Sequence, residues 1–405
     1  MNPQPKCALI VPPVTLVTSA EQNVSLTPPL GLAYIGAVLE QSGYQVKIFD
    51  ALALGVENME RGEGFIRYGL SKEDIIKFIQ EFEPDIIGVS AMYTAHAQDA
   101  HDIAKIIKDI NSDIVVVFGG AHASACYDIV LYDKNVDIVV KGEGETTFLN
   151  LVKALEKSED LKEVPGTITI FDDELHVNPS AEYIKDLDSL PFPARHLLPM
   201  DIYLTRSAAA DYYLMRLPIT TMITSRGCPQ RCTYCSIHSI WGYTWRSRSA
   251  KNVVDEIELL VNKYNIREIH FSDDNISLDK KRLHEICDEL LRRDLDIKWT
   301  TPNGIAIWTL DEPLIKNMKK AGCYRITFGI ESGNQEVQRL IRKNLNLNRA
   351  RQIIKICNDN GLWTLSTNII GFPFEDRKAI EDTIDYAINS DIDFAHFFLL
   401  TPHVR

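Results

Sequence analysis

Short apolar runs alternate with longer amphipathic stretches along the first half of the chain. The apolar runs predict buried strands, which we expect at residues 7–11, 44–49, 86–89, 114–118 and 136–140. The amphipathic stretches repeat apolar positions at helical spacing and predict helices at about 28–40, 72–83, 94–110 and 144–156. Strands that alternate with helices predict a parallel sheet covered by helices on both faces.

The second half continues the same alternation with greater regularity. We expect its strands at residues 219–224, 268–272, 297–300, 324–329, 364–370 and 394–400. We expect its helices at residues 251–264, 279–293, 311–320, 334–342, 347–360 and 376–389. The pattern therefore predicts six parallel strands, short of the eight that a closed (β/α)8 barrel requires.

A connection separates the two halves. Residues 166–177 alternate apolar and polar positions around an acidic turn and predict a β-hairpin. Residues 186–195 form a linker that contains two prolines. A chain of 405 residues exceeds what one hydrophobic core usually holds. We therefore expect a first domain at residues 1–160, the hairpin and linker at 161–215, and a second domain at 216–405.

The composition is that of an ordinary globular protein. The formal net charge is −13, from 43 basic and 56 acidic residues, which argues against a nucleic-acid partner. No apolar run reaches the ~18 residues that a membrane span needs, and the N-terminus lacks the pattern of a signal peptide. We therefore expect a cytoplasmic protein. The isolated cysteines should be buried structural thiols, and these are Cys7, Cys126, Cys287, Cys323 and Cys357.

Three cysteines follow the first strand of the second half at close spacing. Cys228, Cys232 and Cys235 form the pattern C-x3-C-x2-C. Three thiolates this close can bind a [4Fe–4S] cluster, whose fourth iron would stay open because no further cysteine lies nearby. A zinc site completed by His238 is an alternative, although the spacing is unusual for zinc. A disulfide is disfavoured because the other cysteines are scattered and the chain looks cytosolic.

With Tyr234 before the third cysteine, the motif resembles the signature of radical S-adenosylmethionine (SAM) enzymes. The resemblance implies that Cys228, Cys232 and Cys235 bind the cluster as catalytic residues and that Tyr234 lies beside the cofactors. It implies that the open iron binds the amino and carboxylate groups of SAM, whose reductive cleavage gives a 5′-deoxyadenosyl radical. It also implies a partial (β/α)6 barrel and an electron donor such as flavodoxin or ferredoxin.

Small residues follow three predicted strands of the first half, at the carboxyl ends where a parallel sheet binds ligands. In this order they resemble the Rossmann-like, flavodoxin-type domain of cobalamin-dependent radical enzymes. The resemblance implies that cobalamin is bordered by Ser90, Thr94, Gly119, Gly120, Gly142 and Glu143. It also implies cobalamin bound without a protein histidine below the cobalt, since the D-x-H triplet at His101 lies in a helix. Ordinary tight turns, and a helix cap at Glu143, are the alternatives.

Polar residues also follow the strands of the predicted barrel, where catalytic groups collect in such folds. By resemblance, Asp273, Asp274 and Asn275 would contact the amino group of SAM, and Glu331 would make polar contacts to the cofactor or the substrate. The remaining predicted cofactor contacts at strand ends are Ser332, Asn368 and Gly371. Each of these positions could instead cap the helix that follows.

The resemblance covers essentially the whole chain and favours one reaction. We expect methyl transfer to an unactivated centre of a small molecule in secondary or lipid metabolism, with a [4Fe–4S] cluster, SAM and cobalamin as cofactors. Radical ring formation, as in the anaerobic cyclases of tetrapyrrole synthesis, is the second interpretation, and a non-catalytic cobalamin or Fe–S sensor is the third. Because the sequence ends directly after the sixth strand, we expect either a truncated chain or a partner that closes the barrel.

Overall fold

The computed structural model describes residues 4–18, 24–206 and 213–402. These fall into two compact units. The first unit contains the described residues up to Ile184 together with 189–206. The second unit contains residues 185–188 together with 213–402.

A seven-stranded sheet forms the centre of the first unit. In sheet order its strands are β10 (Glu174–Val177), β9 (Thr167–Phe171), β8 (Ile138–Val140), β7 (Val115–Gly119), β6 (Ile86–Ser90), β1 (Cys7–Val11) and β3 (Val46–Asp50). The strands from β3 to β8 are parallel, and the hairpin of β9 and β10 continues the sheet in the antiparallel direction. The parallel part has the order 2-1-3-4-5 of flavodoxin-like folds, which confirms the predicted fold type.

Helices accompany this sheet and complete its core. They are α1 (Leu30–Gln41), α2 (Ala51–Leu54), α3 (Lys72–Phe82), α4 (Ala97–Ile110), α5 (Ala121–Ala125), α6 (Tyr127–Val130), α7 (Gly144–Glu156) and α8 (Met200–Thr205). Helix α3 begins with a capping box in which Ser71 and Asp74 bond each other's backbone N–H. Its apolar face buries Ile75 and Ile79 in the same core as Ile103 of α4. The periodic spacing of isoleucine therefore determines which face of each helix packs on the sheet.

Six parallel strands form an open sheet in the second unit. In sheet order they are β11 (Ile219–Met222), β14 (Glu268–Phe271), β15 (Lys298–Thr301), β16 (Cys323–Glu331), β17 (Trp363–Ile370) and β18 (Phe394–Leu399). A two-stranded pair, β12 (Ser225–Arg226) with β13 (Arg246–Ser247), lies between β11 and β14 in sequence. The predicted partial barrel of six strands is confirmed.

A helix follows most of these strands. The helices are α9 (His238–Trp241), α10 (Ala250–Tyr264), α11 (Lys280–Arg292), α12 (Glu312–Lys320), α13 (Gln335–Leu340), α14 (Leu347–Asp359) and α15 (Arg377–Ile388). Ser249, Asp279, Asp311 and Asp376 each accept a backbone N–H bond at a helix start. Such side chains satisfy donors that the helix itself leaves unpaired.

A small antiparallel sheet of the first unit was not predicted. Its strands are β2 (Val14–Leu16), β5 (Phe65–Tyr68) and β4 (Met59–Gly62). All residues of β4 are exposed, so this strand has no alternation of apolar and polar positions from which it could be predicted. Among the described residues, no helix is long and apolar enough to cross a membrane. The five isolated cysteines are buried free thiols, as expected.

Candidate active site at the cysteine loop

Residues 225–236, called the cysteine loop below, begin three residues after the last residue of β11, Met222. Cys228 and Cys232 are partly buried, Cys235 is exposed, and all three are free thiols. Among the described residues no group of three or more His, Cys, Asp or Glu side chains is arranged to hold a single metal ion. A [4Fe–4S] cluster presents a different iron to each thiolate, so its ligands need not converge on one atom. This donor set therefore fits a cluster better than a zinc ion.

Asp273, two residues after the end of β14, fixes the start of the cysteine loop. Its buried carboxylate accepts hydrogen bonds from the Thr224 hydroxyl at 2.8 Å, the Thr224 N–H at 3.1 Å and the Ser225 hydroxyl at 2.5 Å. The Arg282 guanidinium donates to the Thr224 carbonyl at 2.9 Å. Burial raises the pKa of Asp273 above its ordinary value, although these hydroxyl donors and Arg282 act in the opposite direction. The chain is thus held by side chains immediately before the first cysteine.

Asp274 and Gly227 determine the turn into Cys228. The Asp274 carboxylate accepts from the Gly227 N–H at 3.0 Å. Burial raises the pKa of Asp274 to about 6, a rise that the Gly227 N–H opposes and the Asp273 charge increases. Gly227 has a φ of +85°, and a Cβ there would lie 2.3 Å from the Thr244 carbonyl oxygen. Only glycine fits this position.

Asn275 completes the same acidic segment. Its side-chain oxygen accepts from the Ser277 hydroxyl at 3.1 Å, and its backbone carbonyl accepts from the Trp245 indole N–H at 2.9 Å. The cap of helix α11 is Asp279. The alternative that Asp273, Asp274 or Asn275 caps this helix is therefore wrong, because Asp273 and Asp274 accept bonds from the chain that leads into the first cysteine.

The opposite end of the cysteine loop contacts the segment after α13. The Thr233 N–H donates to the Ile341 carbonyl at 3.0 Å, and the Tyr234 ring packs against a buried cluster that contains Ile341 and Phe372. The Lys343 ammonium lies 3.2 Å from the Tyr234 hydroxyl. Burial raises the pKa of Tyr234, and the nearby Glu331 carboxylate and Cys232 thiolate raise it further. The aromatic residue of the motif is thus fixed by apolar packing and by one cation.

Glu331 is the partner of that cation. Its Oε1 accepts from the Lys343 ammonium at 3.1 Å, and both side chains are largely buried. Glu331 has a φ of +66° and follows a register shift between β16 and β17. A Cβ on Gly329 would lie 2.6 Å from the Glu331 carboxylate and 2.7 Å from the Lys343 ammonium. The glycine leaves the space that this ion pair occupies.

The structure does not bring the other predicted barrel residues to the cysteine loop through any described contact. Ser332 bonds the Thr383 hydroxyl at 3.1 Å. The Asn368 amide donates to Ser366 at 3.0 Å and to a β18 carbonyl at 3.1 Å, while its buried oxygen has no hydrogen-bond partner among the described residues. The Gly371 N–H donates to Glu375 at 2.7 Å. The buried oxygen of Asn368, which has no partner in the described part of the chain, is an acceptor that a ligand could use.

The aromatic and basic segment after the third cysteine packs on the loop. The His238 ring stacks on Tyr243 at 4.2 Å between ring centroids, and the Arg231 guanidinium lies 4.4 Å from the centroid of the Tyr243 ring. Arg226 lies 5.3 Å from the Trp241 ring centroid. His238 therefore packs as an aromatic side chain, and its buried Nε2 has no hydrogen-bond partner among the described residues. No group of described His, Cys, Asp or Glu side chains is arranged around it to hold a metal ion.

Three turns lie at the carboxyl edge of the first unit's sheet, at residues 90–94, 119–123 and 142–145, and we call them the sheet-edge turns. Their hydrogen bonds come mainly from the backbone. The Ala91 N–H donates to the Gly119 carbonyl at 2.7 Å, and the His122 N–H donates to the Ala91 carbonyl at 3.1 Å. The Gly142 N–H donates to the Ser124 hydroxyl at 3.0 Å. The turns that carry Ser90 and Gly119 are therefore directly connected.

The two glycines of the second turn have different surroundings. A Cβ on Gly119 would meet nothing within 4 Å, so its backbone is open to a ligand. Gly120 has a φ of +108° and a ψ of −178°, and a Cβ there would lie 2.8 Å from the Ala91 carbonyl oxygen. Glycine alone commonly adopts that conformation. These features fit a site that a large flat ligand approaches along the backbone.

Three side chains near this edge have definite partners. The Glu143 carboxylate accepts from the Ile184 N–H at 2.7 Å. Glu143 stands at the N-cap position of α7, where its side chain makes no capping hydrogen bond. His101 lies 2.7 Å from Asp133. The Thr94 hydroxyl lies 3.1 Å from His122 Nδ1, and burial lowers the pKa of His122. Sequence reasoning missed His122, although a histidine two residues after paired glycines at a strand end was visible.

Two family models match this chain. The model of the radical SAM superfamily matches residues 222–387, and that of the B12 binding domain matches residues 20–152. An uncharacterised methyltransferase of Pyrococcus horikoshii is 36% identical over 400 residues, which cover 98% of this chain and 81% of that protein. Cytidylyl-2-hydroxyethylphosphonate methyltransferase of Streptomyces wedmorensis is 36% identical, over 93% of this chain and 76% of that protein.

One further relative has a different activity. Anaerobic magnesium-protoporphyrin IX monomethyl ester cyclase of Rubrivivax gelatinosus is 30% identical over 93% of this chain and 64% of its own length. Among solved structures, the radical SAM methyltransferase TsrM of Kitasatospora setae, with cobalamin and a [4Fe–4S] cluster bound, has a TM-score of 0.78 at 19% identity and covers 98% of this chain and 75% of its own. The cobalamin-dependent SAM radical enzyme OxsB has a TM-score of 0.77 at 20% identity, over 95% of this chain and 52% of its own.

Proposed function

Because this chain belongs to the cobalamin-dependent radical SAM methyltransferases, we propose that it methylates an unactivated carbon or phosphorus centre of a small molecule. The observation that carries the proposal is the cysteine loop, which presents three free thiols and is fixed at both of its ends. When bound, the cluster supplies the electron that cleaves SAM and cobalamin supplies the methyl group that is transferred.

The roles of the protein follow from the contacts of the loop. We assign cluster binding to Cys228, Cys232 and Cys235, whose thiolates are the ligands that such clusters use. Asp273 orients the strand end that carries the first cysteine. We assign Asp274 a contact with the ammonium group of SAM, because a neighbouring cation would favour the ionised form of a carboxylate whose pKa is raised by burial.

The remaining barrel residues supply further polar groups. Asn368 offers a buried oxygen without a described partner, and we assign it a hydrogen bond from SAM. We assign Glu331 as a second acceptor, which would take a hydrogen bond from SAM in addition to the one it accepts from the Lys343 ammonium. Contacts from Asn275, Ser332 and Gly371 to the cofactor stay predictions, because the described bonds of these residues are to other parts of the protein.

In the first unit we assign cobalamin to the sheet-edge turns. The open backbone at Gly119 and the backbone conformation of Gly120 support close approach of a flat ligand. Ser90, Thr94 and Gly142 border the same edge, and Glu143 fixes the chain behind it through Ile184. His101 pairs with Asp133, which supports binding without His101 as a cobalt ligand.

The proposal also covers the class of substrate that is methylated. The relative from Streptomyces wedmorensis is named for a phosphonate nucleotide substrate, which supports a small molecule of secondary metabolism. Lipid substrates and a flavodoxin or ferredoxin as electron donor remain part of the same prediction, as does a cytoplasmic location.

The test uses anaerobic protein reconstituted with iron, sulfide and cobalamin. Dithionite-reduced protein should release 5′-deoxyadenosine from SAM, and the donor methyl should appear on cobalamin. Cys228→Ala should lose both cluster iron and cleavage, whereas Cys357→Ala, which changes a buried thiol outside the loop, should keep both. Cleavage that persists in Cys228→Ala would contradict the assignment.

Radical ring formation is the second candidate, supported by the cyclase relative. It is less supported than methyl transfer, because that relative is less similar and longer than the two methyltransferases. Cleavage of SAM without any transfer of its methyl to cobalamin would favour the cyclase.

A further inference from the structure

Lys343 lies in a turn that the backbone adopts at a cost. The residues on either side of it, Arg342 and Asn344, have φ values of +57° and +53°, and Glu331 opposite has +66°. Left-handed conformations are uncommon for residues other than glycine, and they collect at sites where the surrounding structure enforces them. Glu331 itself therefore has this conformation, and Lys343 lies between two residues that have it.

This turn is anchored to the end of β16. The Gln338 carbonyl accepts from the N–H groups of Lys343 and Asn344, each at 3.1 Å. The Gln338 side chain donates to the carbonyls of Ile330 and Ser332, each at 2.6 Å. The backbone of Lys343 is consequently bonded to Gln338, whose side chain is bonded in turn to the end of β16.

The Lys343 ammonium lies beside the cysteine loop, and its distance from the loop determines how strongly its charge acts on a bound cluster. The ammonium lies 3.2 Å from the hydroxyl of Tyr234, which stands between Cys232 and Cys235. The side chain of Lys343 is 15% exposed and that of Glu331 9% exposed. Charges shielded from water in this way interact strongly with a nearby redox centre.

We propose that the Lys343–Glu331 pair sets the reduction potential of the cluster bound by Cys228, Cys232 and Cys235, with Lys343 as the residue that supplies the charge and positions Tyr234. The inference rests on the proposed cluster. Reduction adds one negative charge to the cluster, so a neighbouring cation favours the reduced form and a neighbouring anion opposes it. Lys343 raises the potential, and Glu331 partly offsets it.

The test is a potentiometric titration of reconstituted protein without SAM, followed by the electron paramagnetic resonance signal of the reduced cluster. Lys343→Met should shift the midpoint potential to a lower value, because a cation is lost. Glu331→Gln should shift it to a higher value, because the cation is left uncompensated. Lys343→Arg should restore a potential close to that of the unchanged protein. A purely structural pair would not give shifts of opposite sign.

The control is Lys355→Met, since Lys355 forms an exposed ion pair with Asp359 on α14. It should leave the potential unchanged. If Lys343→Met does not take up iron, Glu331→Gln must still raise the potential. Shifts of the same sign, no shift in either variant, or weaker SAM binding with an unchanged potential would each overturn the inference. A failure of the unchanged protein to bind a cluster would instead overturn the proposed function.

Discussion

The cysteine loop and the sheet-edge turns are held by different kinds of contact. Side chains fix the start of the loop through Asp273 and Asp274. Lys343 holds its far end together with one backbone bond from Thr233. Backbone bonds connect the first two sheet-edge turns, and glycines provide the space beside them. A site for a small inorganic cluster depends on where a few ligand atoms stand, whereas a site for a large flat cofactor depends on the shape of the backbone. The two should therefore respond differently to mutation.

Removal of the Asp273 carboxylate should have the largest effect. Asp273→Ala removes the acidic neighbour with the largest influence on Arg282. It also removes the acceptor of the Thr224 N–H and of the hydroxyls of Thr224 and Ser225. Breaking a buried charged arrangement from one side costs about 3–5 kcal/mol. Urea unfolding of the apo-protein measures this loss, and iron binding should fall with it. Asp359→Ala, in an exposed pair, should change stability by less than about 1 kcal/mol. Equal losses in the two variants would show that Asp273 has no special role.

Glu268 is the first residue of β14 in the second unit. It tests whether side-chain contacts also hold the amino end of that sheet. Its carboxylate accepts from the Met215 and Arg216 N–H groups and from the Tyr324 hydroxyl, and it lies 2.9 Å from His270 Nε2. Burial acts to raise the pKa of Glu268, but these contacts outweigh it and hold the pKa below its ordinary value. At pH values above 4.5, the ordinary pKa of a glutamate, the ionised Glu268 stabilises the folded protein. This stabilisation is lost as the pH falls through the lower pKa that Glu268 has in the folded state.

Glu268→Gln should therefore cost about 1.5–3 kcal/mol at neutral pH, the contribution of hydrogen bonds to a charged group. The free energy of unfolding, measured by urea titration from pH 7 downwards, should also fall less steeply below pH 4.5 in the variant than in the unchanged protein. Parallel pH profiles for the two proteins would contradict the assignment of this carboxylate.

Paired glycine variants test the sheet-edge turns. Gly120→Ala should destabilise the apo-protein by about 1–3 kcal/mol, because its backbone conformation is nearly restricted to glycine. Gly119→Ala should leave the thermal midpoint of the apo-protein unchanged, since its Cβ meets nothing, and should weaken cobalamin binding. Cobalamin titration followed by visible absorbance measures the affinity. Unchanged affinity in Gly119→Ala would remove this turn from the cobalamin site.

The sequence predicted the fold well because hydrophobic periodicity is a local property. The expected strand at 364–370, for example, is observed as Trp363–Ile370. The exposed strand Met59–Gly62 lacks this pattern and could not be predicted.

The cysteine motif is also a local feature of the sequence, and Asp273, which contacts the start of the loop, was among the predicted site residues. Lys343 was not, since it is 109 positions from Tyr234 in the chain and reaches it only through the turn after α13. The capping interpretation of Asp273 failed for the same reason, because its partner Thr224 is 49 positions away.

One combined measurement tests most directly whether this protein is a methyltransferase. Reconstituted, dithionite-reduced protein would be incubated anaerobically with cobalamin and SAM that carries a deuterated methyl group, and both products would be followed by mass spectrometry. We predict 5′-deoxyadenosine together with methylcobalamin that carries the deuterated methyl. Absence of the labelled methylcobalamin from protein that contains a full complement of cluster iron and cobalamin would contradict the assignment of this chain as a methyltransferase.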